Sequence, residues 1–189
     1  MADVLPFKHP KQPKPPRQSG FSFKPWMGVV LIFGVASVIY YFDEGSSVTN
    51  SRSGDITGHA IITDGDTIKI NGRRIRFHGI DAPESQQSCS VGGSRYPCGQ
   101  QATKALRLMI GGNPVSCEQR DIDRYKRLVA VCYVGNIDLN AAMVSQGWAL
   151  AYQRYSSDYV SHEEAAKAAR RGMWQGDFTA PWEWRRPKR

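Results

Sequence analysis

Short runs of strand-forming residues, separated by turn residues, occupy the middle of the chain. Asn71 and Gly72 separate two of these runs and are typical of a tight type I′ hairpin. The pattern predicts five strands, the first three of which form a β-meander. Their predicted positions are 56–62, 67–70, 73–80, 114–119 and 128–134.

Three other segments have the apolar spacing of helices. The first ends at Gly111 and Gly112, where a left-handed C-terminal cap is expected, and the third follows Ser157, the expected N-cap. The predicted helices span residues 99–110, about 139–147 and about 158–171. Five strands interrupted and followed by helices predict an α+β fold, a small Greek-key β-barrel that carries helices.

The longest apolar stretch is residues 26–42, which contain no charged residue. As a helix it rises about 25 Å, which just spans the hydrocarbon core of a bilayer. Bases precede it, and Asp43 and Glu44 follow it, so the positive-inside rule keeps the N-terminus in the cytoplasm. We expect a single-pass signal anchor in the cytoplasmic membrane, with a periplasmic or extracellular C-terminal domain.

A cleaved signal peptide and a buried core helix are the alternatives for this stretch. The bulky residues from Ile39 to Phe42 stand where a cleavage site needs small ones, and the leader of 25 residues is longer than usual. We therefore favour a retained anchor. The expected organisation is a basic Pro-rich cytoplasmic stub (1–25), the transmembrane anchor (26–42), a flexible linker (43–55), a folded domain (56–176) and a Trp-containing basic tail (177–189).

Charge is placed unevenly along the 189 residues. The chain has 25 Lys and Arg against 17 Asp and Glu, and its net charge of +8 first suggests a polyanionic partner such as nucleic acid. Residues 1–25 hold five of the bases and residues 183–189 hold four, so that the middle is nearly neutral. A composition of 41% hydrophobic and 22% charged residues excludes collagen, full disorder and a polytopic transporter.

All four cysteines follow the apolar stretch, and an even number on the exported side of a membrane favours disulfides. Three pairings are possible. We prefer Cys89–Cys98, which closes a Gly-rich loop, and Cys117–Cys132, which joins two neighbouring strands. A zinc site is the alternative, but no cysteine pair has the spacing of two to four residues that such sites favour.

Three charged clusters are candidates for chemistry: residues 64–67 (DGDT), 76–84 (RFHGIDAPE) and 123–127 (DRYKR). Each alone has a structural interpretation, as a β-turn, a strand that ends at a proline, and a solvated hairpin tip. The first is not an EF-hand loop, because Ile68 and Ile70 occupy positions that need an oxygen or backbone ligand.

Taken in order, the three clusters, followed by NAAMVSQGWALAY and ARRGMW, resemble the staphylococcal nuclease (thermonuclease) family. The resemblance covers about residues 56–176 and implies a five-stranded OB-fold barrel with helices. It also implies calcium-dependent hydrolysis of phosphodiester bonds in DNA and RNA, with low sequence specificity and 3′-phosphorylated products.

The resemblance assigns a metal site and a general base. Asp66 and Asp81 match the carboxylates that bind calcium, and Ala82 falls where the family supplies a backbone carbonyl to the metal. Glu84 matches the general base. Hard Ca²⁺ prefers such oxygen ligands.

The resemblance also assigns the groups that bind substrate. Arg76 and Arg127 match the two arginines that hold the phosphate, a role that suits permanently charged, fork-shaped guanidinium groups. Arg124 and Tyr125 lie where the family places groups near the terminal phosphate, and Tyr152 resembles a base-stacking tyrosine.

Some features have two interpretations. Lys126 replaces a glycine of the best-known family member, which leaves the nucleotide preference open. Trp174, Trp182 and Trp184 could stack on single-stranded bases or close the domain as a hydrophobic clasp, and we favour the clasp.

The expected protein is therefore a monomeric, membrane-anchored nuclease that acts on DNA and RNA, preferably single-stranded. A non-catalytic OB-fold module that binds nucleic acid is the leading alternative. Its mark would be loss of the carboxylates or arginines, and all five are present. A periplasmic scaffold is a third interpretation, supported only by the anchor.

Overall fold

In a computed structural model that describes residues 55–187, five strands close into a barrel. All strands of the described residues, including those outside the barrel, are β1 (Ile56–Ile62), β2 (Thr67–Ile70), β3 (Arg73–Phe77), β4 (Ile80–Asp81), β5 (Cys89–Val91), β6 (Ser94–Tyr96), β7 (Pro114–Ile122), β8 (Leu128–Val134), β9 (Ile137–Asp138) and β10 (Leu150–Ala151). Its helices are α1 (Cys98–Ile110), α2 (Leu139–Ser145), α3 (Val160–Ala168), a 3₁₀ turn (Gly172–Gln175) and α4 (Pro181–Trp184).

The barrel strands follow the order β3-β2-β1-β7-β8, and parallel pairing of β3 with β8 closes the ring. Asn71 and Gly72 have φ angles of 50° and 78°, as the predicted type I′ turn between β2 and β3 requires. Core side chains from the strands, such as Ile68 and Phe77, pack with Leu106 of α1. The predicted five-stranded barrel with helices is confirmed.

Two details of the predicted elements are wrong. The strand expected over 73–80 ends at Phe77, and the chain turns at Gly79 (φ 68°) before β4 leaves the barrel to pair with β10. Ser157 does not cap α3, because the helix begins later and Tyr159 occupies the N-cap position without a side-chain cap bond. The hydroxyl of the neighbouring Ser156 accepts the backbone N–H of Asp158 instead.

Both predicted disulfides are present. Cys89–Cys98 joins β5 to the first residue of α1, and Cys117 lies directly opposite Cys132 in the β7–β8 ladder. All four cysteines are therefore in bridges, which removes them as candidates for a zinc site.

The segment from Asp177 to Arg186, here called the C-terminal segment, packs against the β5–β6 hairpin. Asp177 and Ser90 exchange two backbone hydrogen bonds, of 2.8 and 2.9 Å. Trp174 and Trp182 pack on a second apolar cluster around Met173, which supports the clasp interpretation for these two tryptophans. Trp184 remains 39% exposed.

The predicted stub, anchor and most of the linker lie outside the described residues. Within residues 55–187, no helix is both long enough and apolar enough to cross a bilayer.

Replacing both Cys117 and Cys132 by Ala should lower the free energy of unfolding by about 3 kcal/mol, because the bridge closes a loop of 15 residues. Urea denaturation under oxidising conditions measures the loss. The matched Cys89→Ala/Cys98→Ala variant, whose bridge spans nine residues, should lose less. Equal stability of the Cys117/Cys132 variant and the parent would contradict the prediction.

Candidate functional site

Two buried carboxylates and one arginine form the centre of the site. Arg76 of β3 pairs in register with Thr67, so its side chain lies beside Asp66. One guanidinium nitrogen of Arg76 lies 3.3 Å from Asp66 Oδ2 and 2.6 Å from Asp81 Oδ1. Asp66 is 5% exposed and Asp81 is 0% exposed, so this arginine neutralises charge that water cannot reach.

Close packing brings the first two charged clusters together. Asp66 Oδ2 accepts the backbone N–H of Ala82 at 3.1 Å, and Oδ1 accepts the Thr67 hydroxyl at 2.9 Å. A side chain at Gly65 would come within 2.8 Å of the Ala82 Cβ atom, so the turn can approach this closely only with glycine there. Residues 64–67 (DGDT) are thereby held against residues 81–84 (DAPE).

The electrostatics of the centre favour bound cations. Burial lowers the pKa of Arg76, but the charges of Asp66 and Asp81 outweigh this and raise it overall. Burial and the negative charge of Asp66 raise the pKa of Asp64 to about 6. Burial is the larger of these two causes, and the smaller one, repulsion between the two carboxylates, would be relieved by a nearby cation.

Glu84 lies in the loop after Asp81, and its side chain is 38% exposed. Its backbone N–H donates to Gln87 Oε1 at 3.2 Å, and the Gln87 N–H donates to its carbonyl at 2.7 Å. Gly99, in the first turn of α1, packs directly on this carbonyl, where a Cβ atom would collide with it. Helix α1 therefore sets the position of the Glu84 backbone.

Arg185 also belongs to the site, although the sequence did not predict it. Its Nη1 and Nη2 atoms donate to Asp81 Oδ1 (3.1 Å) and Oδ2 (2.6 Å), and Nη1 also donates to Glu84 Oε1 at 2.7 Å. Burial lowers the pKa of Arg185, but the hydrogen bonds and charges of Asp81 and Glu84 outweigh this and raise it. The only sequence signal was membership of a basic tail.

A second group of predicted residues lies in the turn between β7 and β8. Asp123 accepts the backbone N–H groups of Tyr125 and Arg127, both at 2.9 Å, and also Arg127 Nε at 2.7 Å. Lys126 adopts a left-handed conformation (φ 60°) where the best-known family member has glycine. The Arg124 guanidinium lies 4.8 Å from the Tyr125 ring centroid. Asp123 thus fixes Arg127 while Tyr125 stays 64% exposed.

The parallel pairing of β3 and β8 brings this turn beside the β2–β3 hairpin. Between them lies an open groove of about 540 Å³. Its charged lining residues are all basic: Arg73, Arg74, Lys126 and Arg127. Arg73 and Arg74 are exposed. The groove is suited to a polyanion.

Tyr152, the predicted base-stacking residue, packs against the C-terminal segment. Its ring stacks on Trp182, with centroids 5.3 Å apart and planes 4° apart, and Tyr155 contacts it edge-on at 5.0 Å. One face of the ring is therefore covered by the C-terminal segment.

The structure brings Asp66, Arg76, Asp81 and Glu84 into one network. Among residues 55–187, no three His, Cys, Asp or Glu side chains converge closely enough to form a ready metal centre. The donor set nevertheless fits a hard cation, since it offers carboxylate oxygens and carries excess negative charge. The individual roles assigned to these residues stay predictions.

The fold and site define a small OB-type barrel with buried carboxylates that pair with arginines, and with a basic groove between the β2–β3 hairpin and the β7–β8 turn. The family model of staphylococcal nuclease homologues matches residues 74–176. The chain belongs to this family. The match includes Arg76, Asp81, Glu84 and Arg127, whereas Asp66 precedes it.

Three relatives illustrate the similarity. A probable staphylococcal-like nuclease, CAN3, of Oryza sativa subsp. japonica is 34% identical over 71% of this chain and 34% of its own length. A protein named as an uncharacterized endonuclease from Haemophilus influenzae is 33% identical over 68% of this chain and 71% of its own length. One of the same description from Escherichia coli O157:H7 is 32% identical over 71% of this chain and 88% of its own length. The chain spans only about a third of the rice relative.

Replacing Gly99 by Ala should lower the free energy of unfolding by about 1–3 kcal/mol and reduce any activity that depends on Glu84. The reason is that the new Cβ atom collides with the Glu84 carbonyl, so the loop or the helix has to shift. Thermal denaturation measures the loss. Gln100→Ala, at an exposed position of the same helical turn, is the control and should leave stability nearly unchanged. A fully stable Gly99→Ala variant would show that α1 does not fix the Glu84 loop.

Proposed function

We propose that this protein is a calcium-dependent nuclease that hydrolyses phosphodiester bonds in DNA and RNA, with low sequence specificity and 3′-phosphorylated products. The observation that carries the proposal is a network in an OB-type barrel protein, in which Arg76 pairs with Asp66 and Asp81 and Arg185 links Asp81 to Glu84. The names of the relatives, several of which are nucleases or endonucleases, support it.

Asp66 and Asp81 would hold the calcium ion through their carboxylate oxygens, together with the backbone carbonyl of Ala82. Both carboxylates are already buried and held by hydrogen bonds, so little ordering is needed when a cation binds. When bound, Ca²⁺ supplies Lewis-acid stabilisation of charge on a phosphoryl oxygen.

Arg76 and Arg127 bind and orient the phosphate. Their guanidinium groups stay protonated throughout, so they can stabilise the negative charge that increases as the bond to phosphorus forms. Glu84 accepts the proton of the attacking water, a role that needs hydrogen-bond reach and an ionised carboxylate. Its side chain is 38% exposed, which leaves it open to a water molecule.

The basic groove would hold the sugar-phosphate backbone next to the reacting phosphate. Arg73, Arg74 and Lys126 contribute charge without base-specific geometry, which agrees with low sequence specificity. The exposed ring of Tyr125 can stack on an unpaired base, which favours single-stranded substrates. Tyr152 is the second predicted stacking residue, although Trp182 already stacks on its ring.

A non-catalytic module that binds nucleic acid is the second candidate. The contact between Arg185 and Glu84 favours it, because a base that is paired with an arginine is less available to water. The nuclease is favoured because all five predicted carboxylates and arginines are present: Asp66, Asp81, Glu84, Arg76 and Arg127.

Residues 26–42 are proposed to attach a monomeric enzyme to the cytoplasmic membrane, with the barrel on the periplasmic or extracellular side. This part of the proposal rests on the apolar stretch and the charges that flank it.

Glu84→Gln should reduce hydrolysis of single-stranded DNA by about 10²–10⁴-fold, because the amide cannot accept the proton of the attacking water. The initial rate of oligonucleotide cleavage by purified full-length protein in the presence of Ca²⁺ measures the loss. EGTA should abolish cleavage by the parent protein. Unchanged turnover in the variant would reject Glu84 as the base, and full activity in EGTA would reject the calcium requirement.

The matched control is Glu164→Gln, which makes the same chemical change at an exposed position of α3. It should cleave at the parental rate. Retained oligonucleotide binding by Glu84→Gln, with no cleavage by either the variant or the parent, would instead support the binding module.

Arg73→Ala/Arg74→Ala should weaken binding of single-stranded DNA and make it less dependent on salt. If each arginine neutralises one phosphate, the slope of log K against log salt concentration should become shallower by about 1.4. Fluorescence anisotropy of a labelled oligonucleotide in EGTA measures both quantities. Lys104→Ala/Arg107→Ala, on the exposed face of α1, changes the net charge equally and is the control. Equal slopes for both double variants would mean that the groove does not bind the backbone.

A further inference from the structure

Arg185 lies near the end of a basic tail, yet it forms three hydrogen bonds with carboxylates of the site. It forms a bidentate pair with Asp81 and also donates to Glu84 at 2.7 Å. Bidentate charge-assisted pairs are among the strongest hydrogen bonds in proteins and have a defined geometry. The contact therefore differs from a loose surface ion pair.

The rest of the C-terminal segment holds Arg185 in this place. The fully buried Gln87 donates to the Thr179 carbonyl at 2.6 Å, which ties the segment to the Glu84 loop. The stacking of Trp182 on Tyr152 positions α4, and Arg185 follows that helix directly. Several independent contacts thus present one guanidinium group to the carboxylates.

The number of acceptor positions on the Asp81 carboxylate limits how many groups can bind it. Oδ1 already accepts from Arg76 (2.6 Å) and Arg185 (3.1 Å), and Oδ2 accepts from Arg185 (2.6 Å). A carboxylate has about four acceptor positions, and the arginines occupy three of those on Asp81, so a cation that binds through both oxygens has to displace Arg185.

Charge leads to the same conclusion. The carboxylates of Asp66, Asp81 and Glu84 outnumber the guanidinium groups of Arg76 and Arg185 that pair with them. Removing Arg185 makes the charge of this group more negative by one, which favours a divalent cation. A cation placed beside Arg185 would also be repelled by it, strongly so at a site of low polarity.

We propose that Arg185 competes with the divalent cation for Asp81 and Glu84, so that the C-terminal segment sets the cation affinity of the site. Cation binding displaces the guanidinium group from Asp81 and at the same time frees Glu84, which couples occupancy of the metal site to availability of the base. This inference rests on the calcium dependence proposed above.

Isothermal titration calorimetry with CaCl₂ on purified full-length protein tests the competition without any need for activity. Arg185→Ala should bind Ca²⁺ with a dissociation constant about tenfold lower than that of the parent, equivalent to about 1.4 kcal/mol. Arg185→Lys should fall between the two, because an ammonium group keeps the charge but lacks the bidentate fork. The lysine variant also serves if the alanine variant fails to fold.

Arg186→Ala is the matched control. It removes the same charge one residue further on, where the side chain is 71% exposed and pairs only with Glu183 among the described residues. Its Ca²⁺ affinity should stay within about twofold of the parental value. Equal gains for the Arg185 and Arg186 variants would reduce the effect to general electrostatics and overturn the proposal.

Thermal denaturation gives a second readout. In EGTA, Arg185→Ala should unfold at a lower temperature than the parent, because Asp81 loses a partner, and saturating Ca²⁺ should raise its Tm by more than it raises that of the parent. Parental protein that binds Ca²⁺, with no gain of affinity in Arg185→Ala, would overturn this inference and leave the proposed function intact. Failure of every form to bind Ca²⁺ would reject both the calcium requirement and the competition.

Discussion

The site depends on how one fully buried carboxylate, that of Asp81, is neutralised. An ionised group that water cannot reach is costly unless it is paired and fully hydrogen-bonded. Arg76, from the barrel, and Arg185, from the C-terminal segment, supply these bonds. The same carboxylate therefore fixes the position of Arg76, the predicted phosphate-binding arginine, and ties the end of the described chain to the rest of the fold.

Barrel closure determines which other groups can act with Asp81. The parallel pairing of β3 with β8 sets Arg76 beside Val129, and Arg127 lies immediately before β8. Two arginines that are far apart in sequence therefore emerge on adjacent strands, and the turns next to them line the basic groove. Asp123 then restrains Arg127 through its Nε atom. Barrel closure thus determines which residues line the groove.

Local patterns were sufficient to predict most of the barrel and both disulfides, since strand periodicity and the Asn71–Gly72 turn are encoded in neighbouring residues. The convergence of Asp66 with Asp81 was implied only by family resemblance, because it depends on packing between separated segments. The position of Arg185 could not be predicted, since it follows from long-range contacts such as Tyr152 with Trp182. Ser157 is not the cap because α3 begins later, with Tyr159 at the N-cap position, and Ser156 accepts the Asp158 N–H instead.

The net charge of the chain does not indicate which contacts its individual charged residues make. The net charge of +8 first suggested a polyanionic partner such as nucleic acid. Arg185 instead acts locally on two carboxylates that also serve as predicted cation ligands or base. In the proposed competition, the arginine stabilises the fold and the cation serves catalysis, so the apparent cation affinity would equal the intrinsic affinity multiplied by the fraction of molecules in which Arg185 has left Asp81. A single side chain of the C-terminal segment would thereby tune a site whose predicted ligands come from other parts of the fold.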